Sequence, residues 1–149
     1  MQGYNQAQSL GHLTGLAGRL FNTLLTRRFS AAGIDMTAEQ WGVILLLLNH
    51  GAVTQGQLAE MLYLEKSTVS RSITGLEKRG WIVREKGAED GRQKRVSLTE
   101  NSTSVAERCS DIACSVLVDA QAGLTPEAIT VSREQLSAVI LNLRSLNQS

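Results

Sequence analysis

The sequence predicts a mainly α-helical domain of six helices that carries one small β-hairpin. Three observations point to it. Apolar residues recur at steps of three and four through most of the 149 residues, two S/T-x-x-E/Q capping boxes open helices near the middle of the chain, and the period drops to two only across residues 82–98. At 42% hydrophobic and 19% charged residues, the chain fits one compact domain and needs no disulfide or metal to bury a sufficient core.

The first helix, about residues 9–31, sets Leu10, Leu13, Ala17, Leu20 and Leu24 on one stripe, widened by Leu16, Phe21 and Leu25, and stops at Gly33. The box Thr37-Ala-Glu-Gln40 opens the second, whose buried face is Trp41, Ile44, Leu45 and Leu48. The apolar run 44–48 could be a buried strand, but the cap before it and Gly51 after it favour a helix. A second box, Thr54-Gln-Gly-Gln57, leads into a short helix with Leu58, Ala59 and Leu62 on one side. After a turn at Tyr63 and Leu64, residues 66–79 place Val69, Ile73 and Leu76 at i, i+4, i+7. Ser67, Thr68, Ser70, Arg71 and Thr74 fall largely outside that stripe, and Gly80 suits the position just past the helix end.

Residues 82–86 and 94–98 then alternate as strands around a Gly- and Asp-containing turn. Thr99 can cap a fifth helix to about Ala122, ended by Gly123, with Val105, Cys109, Ile112 and Val116 along one edge. The sixth carries Leu136, Val139, Ile140, Leu143 and Leu146 and has two candidate starts, Thr125-Pro126 and Ser132-Arg-Glu-Gln135. Ser132 is preferred, because Ile129, Thr130 and Val131 are β-branched and weak in helices.

Charge singles out one part of this plan. Residues 66–95 hold nine basic residues against four acids, while the rest of the chain holds six against ten, so a formal net charge of +1 hides a basic patch on an acidic body. Two short helices joined by a tight turn, the second with a small, hydroxylated, basic face, followed at once by a basic hairpin, describe a winged helix-turn-helix. Such a helix can enter the major groove of duplex DNA, where Arg71 can reach guanine O6 and N7, and the hairpin tip can reach an adjacent minor groove.

Asp90-Gly-Arg92-Gln-Lys-Arg-Val-Ser-Leu98-Thr99 matches the pattern D-x-R-x5-L-T and, with Thr54-Gln-Gly-Gln-Leu-Ala59, Glu65-Lys-Ser-Thr-Val-Ser-Arg71 and Leu76-Glu-Lys-Arg-Gly80, resembles the MarR-type transcriptional regulators, named for multiple antibiotic resistance. The resemblance covers nearly the whole chain. It implies a homodimer whose terminal helices interlock, about residues 9–35 and 100–149, with a DNA-binding lobe at about 37–99 on each subunit reading a pseudopalindromic double-stranded operator. By that analogy Ser67, Thr68, Ser70 and Arg71 face bases, Gln55 and Gln57 approach phosphates, Arg92 enters the minor groove, and Lys94 and Arg95 complete the basic wing. Asp90 orients Arg92 by a charge-assisted hydrogen bond, caps its own turn, or does both. Asn101-Ser102 stands where many relatives have a glycine, and residues 125–131 look longer than usual before the last helix.

The resemblance also implies a small aromatic effector or a cysteine-based redox response. His12, Trp41 and Tyr63 could line an effector pocket, yet a Trp on an apolar stripe is more often core, so no ligand residues are assigned. Cys109 and Cys114 are expected to be buried small hydrophobes ahead of a redox pair, and an internal bridge is disfavoured because five helical residues span ~7.5 Å, beyond the usual ~7 Å limit. No cofactor is implied. An enzyme is not expected, since no nucleophile elbow, zinc-protease, Walker or dinucleotide motif occurs and the two histidines, His12 and His50, lie far apart. No apolar run approaches the ~18 residues of a membrane span, so a soluble, cytoplasmic protein without a membrane partner is expected. The competing class is an architectural or protein-binding winged helix without a specific operator.

Overall fold

The computed structural model of the chain describes residues 3–86 and 94–148. Its elements are a short 3-10 turn (Gln6–Gln8), α1 (Leu10–Ala31), α2 (Ala38–His50), β1 (Val53–Thr54), α3 (Gln55–Leu62), α4 (Lys66–Lys78), β2 (Ile82–Lys86), β3 (Lys94–Leu98), α5 (Glu100–Ala120) and α6 (Pro126–Asn147). The chain divides into two compact units, residues 1–116 and 117–149.

In the first unit, one core gathers the buried faces of several elements: Phe29 from α1, Trp41, Val43, Ile44 and Leu47 from α2, Leu58 from α3, Val69, Ile73 and Leu76 from α4, Ile82 and Val96 from the sheet, and Ala106 and Cys109 from α5. Trp41 packs edge-on against Phe29, ring centroids 6.2 Å apart, so it is core as its stripe implies. Complete burial of Ile73, Leu76 and Val69 on α4 contributes about 1.5 to 3 kcal/mol per side chain, which fixes the face the helix turns inward and therefore the one it turns out.

Local chemistry sets the element ends. Both capping boxes form: Thr37 Oγ1 accepts from Gln40 N while Gln40 Oε1 accepts from Thr37 N, and Thr54 and Gln57 repeat the arrangement at α3. Helix α4 ends as expected at Gly80, whose φ of +77° is the left-handed geometry of a Schellman motif, with Trp81 N donating to Leu76 O and Gly80 N to Glu77 O. The same two bonds close α3, from Leu64 N to Ala59 O and Tyr63 N to Glu60 O, but there Tyr63 takes the left-handed conformation (φ 53°). That tight reversal is the turn of the helix-turn-helix. Gly75 has a different task, because a Cβ there would stand 2.6 Å from Gln40 Nε2; its absence lets α4 cross close over α2.

The sheet is antiparallel with order β1-β3-β2. β1 was not foreseen: it is two residues long, pairs Val53 with Val96 and Thr54 with Arg95, and offers no period to detect. Thr54 therefore closes the ladder and caps α3 at once.

Four expectations are corrected. Leu45 and Leu48, expected on the buried face of α2, are 39% and 48% exposed, and the apolar residues buried there are Trp41, Val43, Ile44 and Leu47. Helix α6 starts at Pro126, not Ser132: Thr125 Oγ1 accepts from Ala128 N at 3.1 Å and Pro126 supplies a pre-set φ, which together outweigh the few tenths of a kcal/mol that each of Ile129, Thr130 and Val131 costs. Residues 125–131 are thus not a lengthened loop. Cys114 is exposed, and only Cys109 is a buried hydrophobe. At the start of α5, Ser102 is buried and its hydroxyl is satisfied by donating to Thr99 O.

Candidate nucleic-acid interface

Helix α4 presents Ser67, Arg71, Thr74 and Lys78 along one exposed line, with Ser70 and Thr68 half-buried at its flanks. Their spacing of three and four residues is that of one helix face, opposite Val69, Ile73 and Leu76. Arg71 leans back along the helix, its Nη2 3.5 Å from Thr68 Oγ1, a contact at the limit of hydrogen bonding that leaves the guanidinium free to extend. Ser67 and Arg71 fit a surface meeting another molecule, since each combines a short or donor-rich side chain with exposure, and half-buried Ser70 lies beside them.

Gln55 and Gln57 stand in the first turn of α3, where the helix dipole favours anions. In both, the side-chain oxygen is engaged: Gln57 Oε1 accepts from Thr54 N at 2.9 Å and Gln55 Oε1 from Arg84 Nη1 at 3.3 Å. Both oxygens are held by donors, which leaves the NH2 groups, and those suit a phosphate oxygen.

At the hairpin, Lys94 and Arg95 are exposed. The register sets Arg95 between Thr54 and Glu85, and Lys94 opposite Lys86. Like charges directly opposed in a ladder destabilise it, so the Lys86–Lys94 pair is a place where an anion would relieve repulsion. Asp90 and Arg92 lie outside the described residues.

Two further residues enter that sequence reasoning missed. Arg84 on β2 reaches Gln55, Thr74 and Glu77. Its signal was present, because Arg84 follows Ile82 by two and so shares its inward face. Arg79 pairs with Asp35 at 2.9 Å and lies 6.0 Å over the Trp81 ring, tying the α1–α2 connection to the end of α4. Its signal was weaker, since Asp35 lies 44 residues away. Among the described residues, no group of three His, Cys, Asp or Glu could hold a metal ion, and no helix is long and apolar enough to cross a membrane.

This arrangement has known counterparts. The family model for the MarR family matches residues 34–93, which span the helix-turn-helix and most of the sheet. Over 115 residues the chain is 30% identical to the organic hydroperoxide resistance transcriptional regulator of Bacillus subtilis (strain 168), covering 77% of this chain and 75% of that protein. A solved transcriptional regulator, PA3341, is 30% identical with a TM-score of 0.77 over 92% of this chain and 99% of its own. A mutant MarR from E. coli complexed with operator DNA has the same fold at 22% identity, TM-score 0.80, with 93% of this chain and 99% of that chain covered. The chain belongs to the MarR family of transcriptional regulators.

Proposed function

We propose that the protein is a sequence-specific double-stranded-DNA-binding regulator acting in the cytoplasm as a homodimer, and that it represses until a small aromatic effector releases it. The observation that carries the DNA reading is the exposed face of α4, where Ser67 and Arg71 stand clear while the opposite face is locked into the core. Arg71 reads a guanine edge, Ser67, Thr68 and Ser70 let the helix approach, the NH2 groups of Gln55 and Gln57 donate to phosphates, Lys94 and Arg95 hold the backbone beside the hairpin, and Arg92, oriented by Asp90, enters the minor groove. A protein of the same fold has been solved in complex with operator DNA, which supports the DNA-binding reading.

The dimer reading rests on apolar exposure. Leu10, Leu13, Leu16, Leu20 and Phe21 of α1 are exposed, as are six large apolar residues of α6, more than a monomer leaves to water. Residues 9–35 and 100–149 serve association and 37–99 serve DNA, with the qualification that Phe29 and Cys109 also complete the core. The redox alternative through Cys109 and Cys114 draws support from the relative named for organic hydroperoxide resistance. Against Cys109 as its sensor stands burial, which pushes the thiol up to about 11 despite the nearby Arg108 charge.

Selection of genomic fragments on the purified protein at ~150 mM salt tests the reading, because non-specific phosphate binding falls steeply with salt. An inverted repeat with half-site centres about 10 to 10.5 bp apart is expected. Featureless enrichment would favour the architectural class. On the recovered operator, Arg71→Ala should cost ~1 to 3 kcal/mol and relax preference at one position of each half-site.

A further inference from the structure

A single guanidinium joins the three elements of the reading head. Arg84 springs from the middle of β2 with its side chain 18% exposed. Its Nη1 donates to Gln55 Oε1 on α3 at 3.3 Å, and its Nη2 to Thr74 Oγ1 on α4 at 2.6 Å. Nε is buried without a hydrogen bond, and its nearest acid is Glu77, with Oε2 3.8 Å away, one turn along α4 from Thr74. Desolvating a permanent cation with so partial a counter-charge is costly, so the fork geometry must supply something a neutral residue would not.

We infer that Arg84 is a positioning residue: it locks α3, α4 and the hairpin strand into one relative placement and holds the Gln55 amide with its NH2 outward for a phosphate. Arginine has no acceptor, so only the Gln55 oxygen can face it, and the donor end of the amide is the end left over. Thr74 is used up in the same way. Its hydroxyl donates to Ser70 O at 2.9 Å and accepts from Arg84, so this residue in the middle of the exposed line is a fastening and not a base reader. The inference deepens the DNA-binding reading and rests on it.

The test uses full-length protein, the duplex recovered by selection, and a scrambled duplex of equal length. Arg84→Lys keeps the charge and loses the fork. Its affinity for the operator should fall about tenfold, the loss of one charge-assisted hydrogen bond, with affinity for the scrambled duplex unchanged. Gln55→Ala should weaken operator binding in the wild type and cost nothing further in the Arg84→Lys background. Should Arg84→Lys fail to fold, Thr74→Val and Thr74→Ser carry the test: valine removes the acceptor and should weaken operator binding, while serine restores it. Wild-type operator affinity in Arg84→Lys, equal losses on both duplexes, independent losses at Arg84 and Gln55, or Thr74→Val and Thr74→Ser binding alike would each overturn the inference. Wild-type protein that binds neither duplex would overturn the DNA-binding reading itself, and this inference with it.

Discussion

Helix α4 buries its apolar stripe completely, with Val69 at 1% and Ile73 and Leu76 at 0% exposure, whereas α6 leaves Val131, Leu136, Ile140, Leu141, Leu143 and Leu146 between 41% and 68% exposed and has no buried residue. Both helices are amphipathic, and in both the stripe is plain from spacing alone. Periodicity says that a face is to be covered and is silent about what covers it. For α4 the cover is this chain's own α2, α3 and sheet. For α6 it is, under the homodimer proposal, a second copy.

The largest test of that contrast places a charge in each stripe. Ile73→Glu would bury a carboxylate with no partner and should cost about 4 kcal/mol or more, abolishing the cooperative melt of the lobe. Ile140→Glu should leave that melt in place and convert the protein from dimer to monomer in sedimentation; loss of the lobe's fold with Ile140→Glu would break the comparison. Next in size is Gly75→Ala, which sharpens the α4 side. The new Cβ meets Gln40 Nε2, and Gln40 cannot swing away without breaking the Thr37 capping box, so about 1 to 3 kcal/mol of destabilisation is expected in thermal denaturation. On the α6 side, Thr125→Ala removes the N-cap and should cost about 1 kcal/mol, seen as faster amide exchange at Ala128.

The smallest effect is a pH dependence of the core. Burial raises the Cys109 thiol from 9.0 to about 11, so the unfolded chain ionises first. The stability this contributes is complete below about pH 9 and is lost as pH rises toward about 11. Between pH 8 and pH 10 the loss should be about 1 kcal/mol by urea denaturation, and Cys109→Ala should flatten the slope.

Much of this was legible in the residues. The boxes at Thr37 and Thr54, the stop at Gly80 and both long strands of the hairpin are local events, each decided within a few residues by hydrogen bonds the sequence spells out. The start of α6 was not, because there a favourable cap and proline competed with β-branched residues, and only the net sum decides. β1 is too short for a pattern, and its pairing with β3 bridges more than 40 residues. At the candidate interface, exposure of Ser67 and Arg71 followed from the stripe opposite. The part played by Arg84 was hidden in tertiary geometry, since its partners lie on α3 and α4, 29 and 10 residues distant.

Thr54 pairs with Arg95 on β3, and through its own side chain it caps the next helix. Strand β1 and helix α3 follow one another without an intervening residue, so no linker separates the partner strand of β3 from the helix-turn-helix. Arg84 ties β2 to α3 and α4 as well, so the described strands and the helices beside them are joined at two separate points. Under the homodimer proposal, the quantity such a regulator would adjust is the separation and angle of its two lobes along the DNA, a property of the pair that neither lobe carries alone.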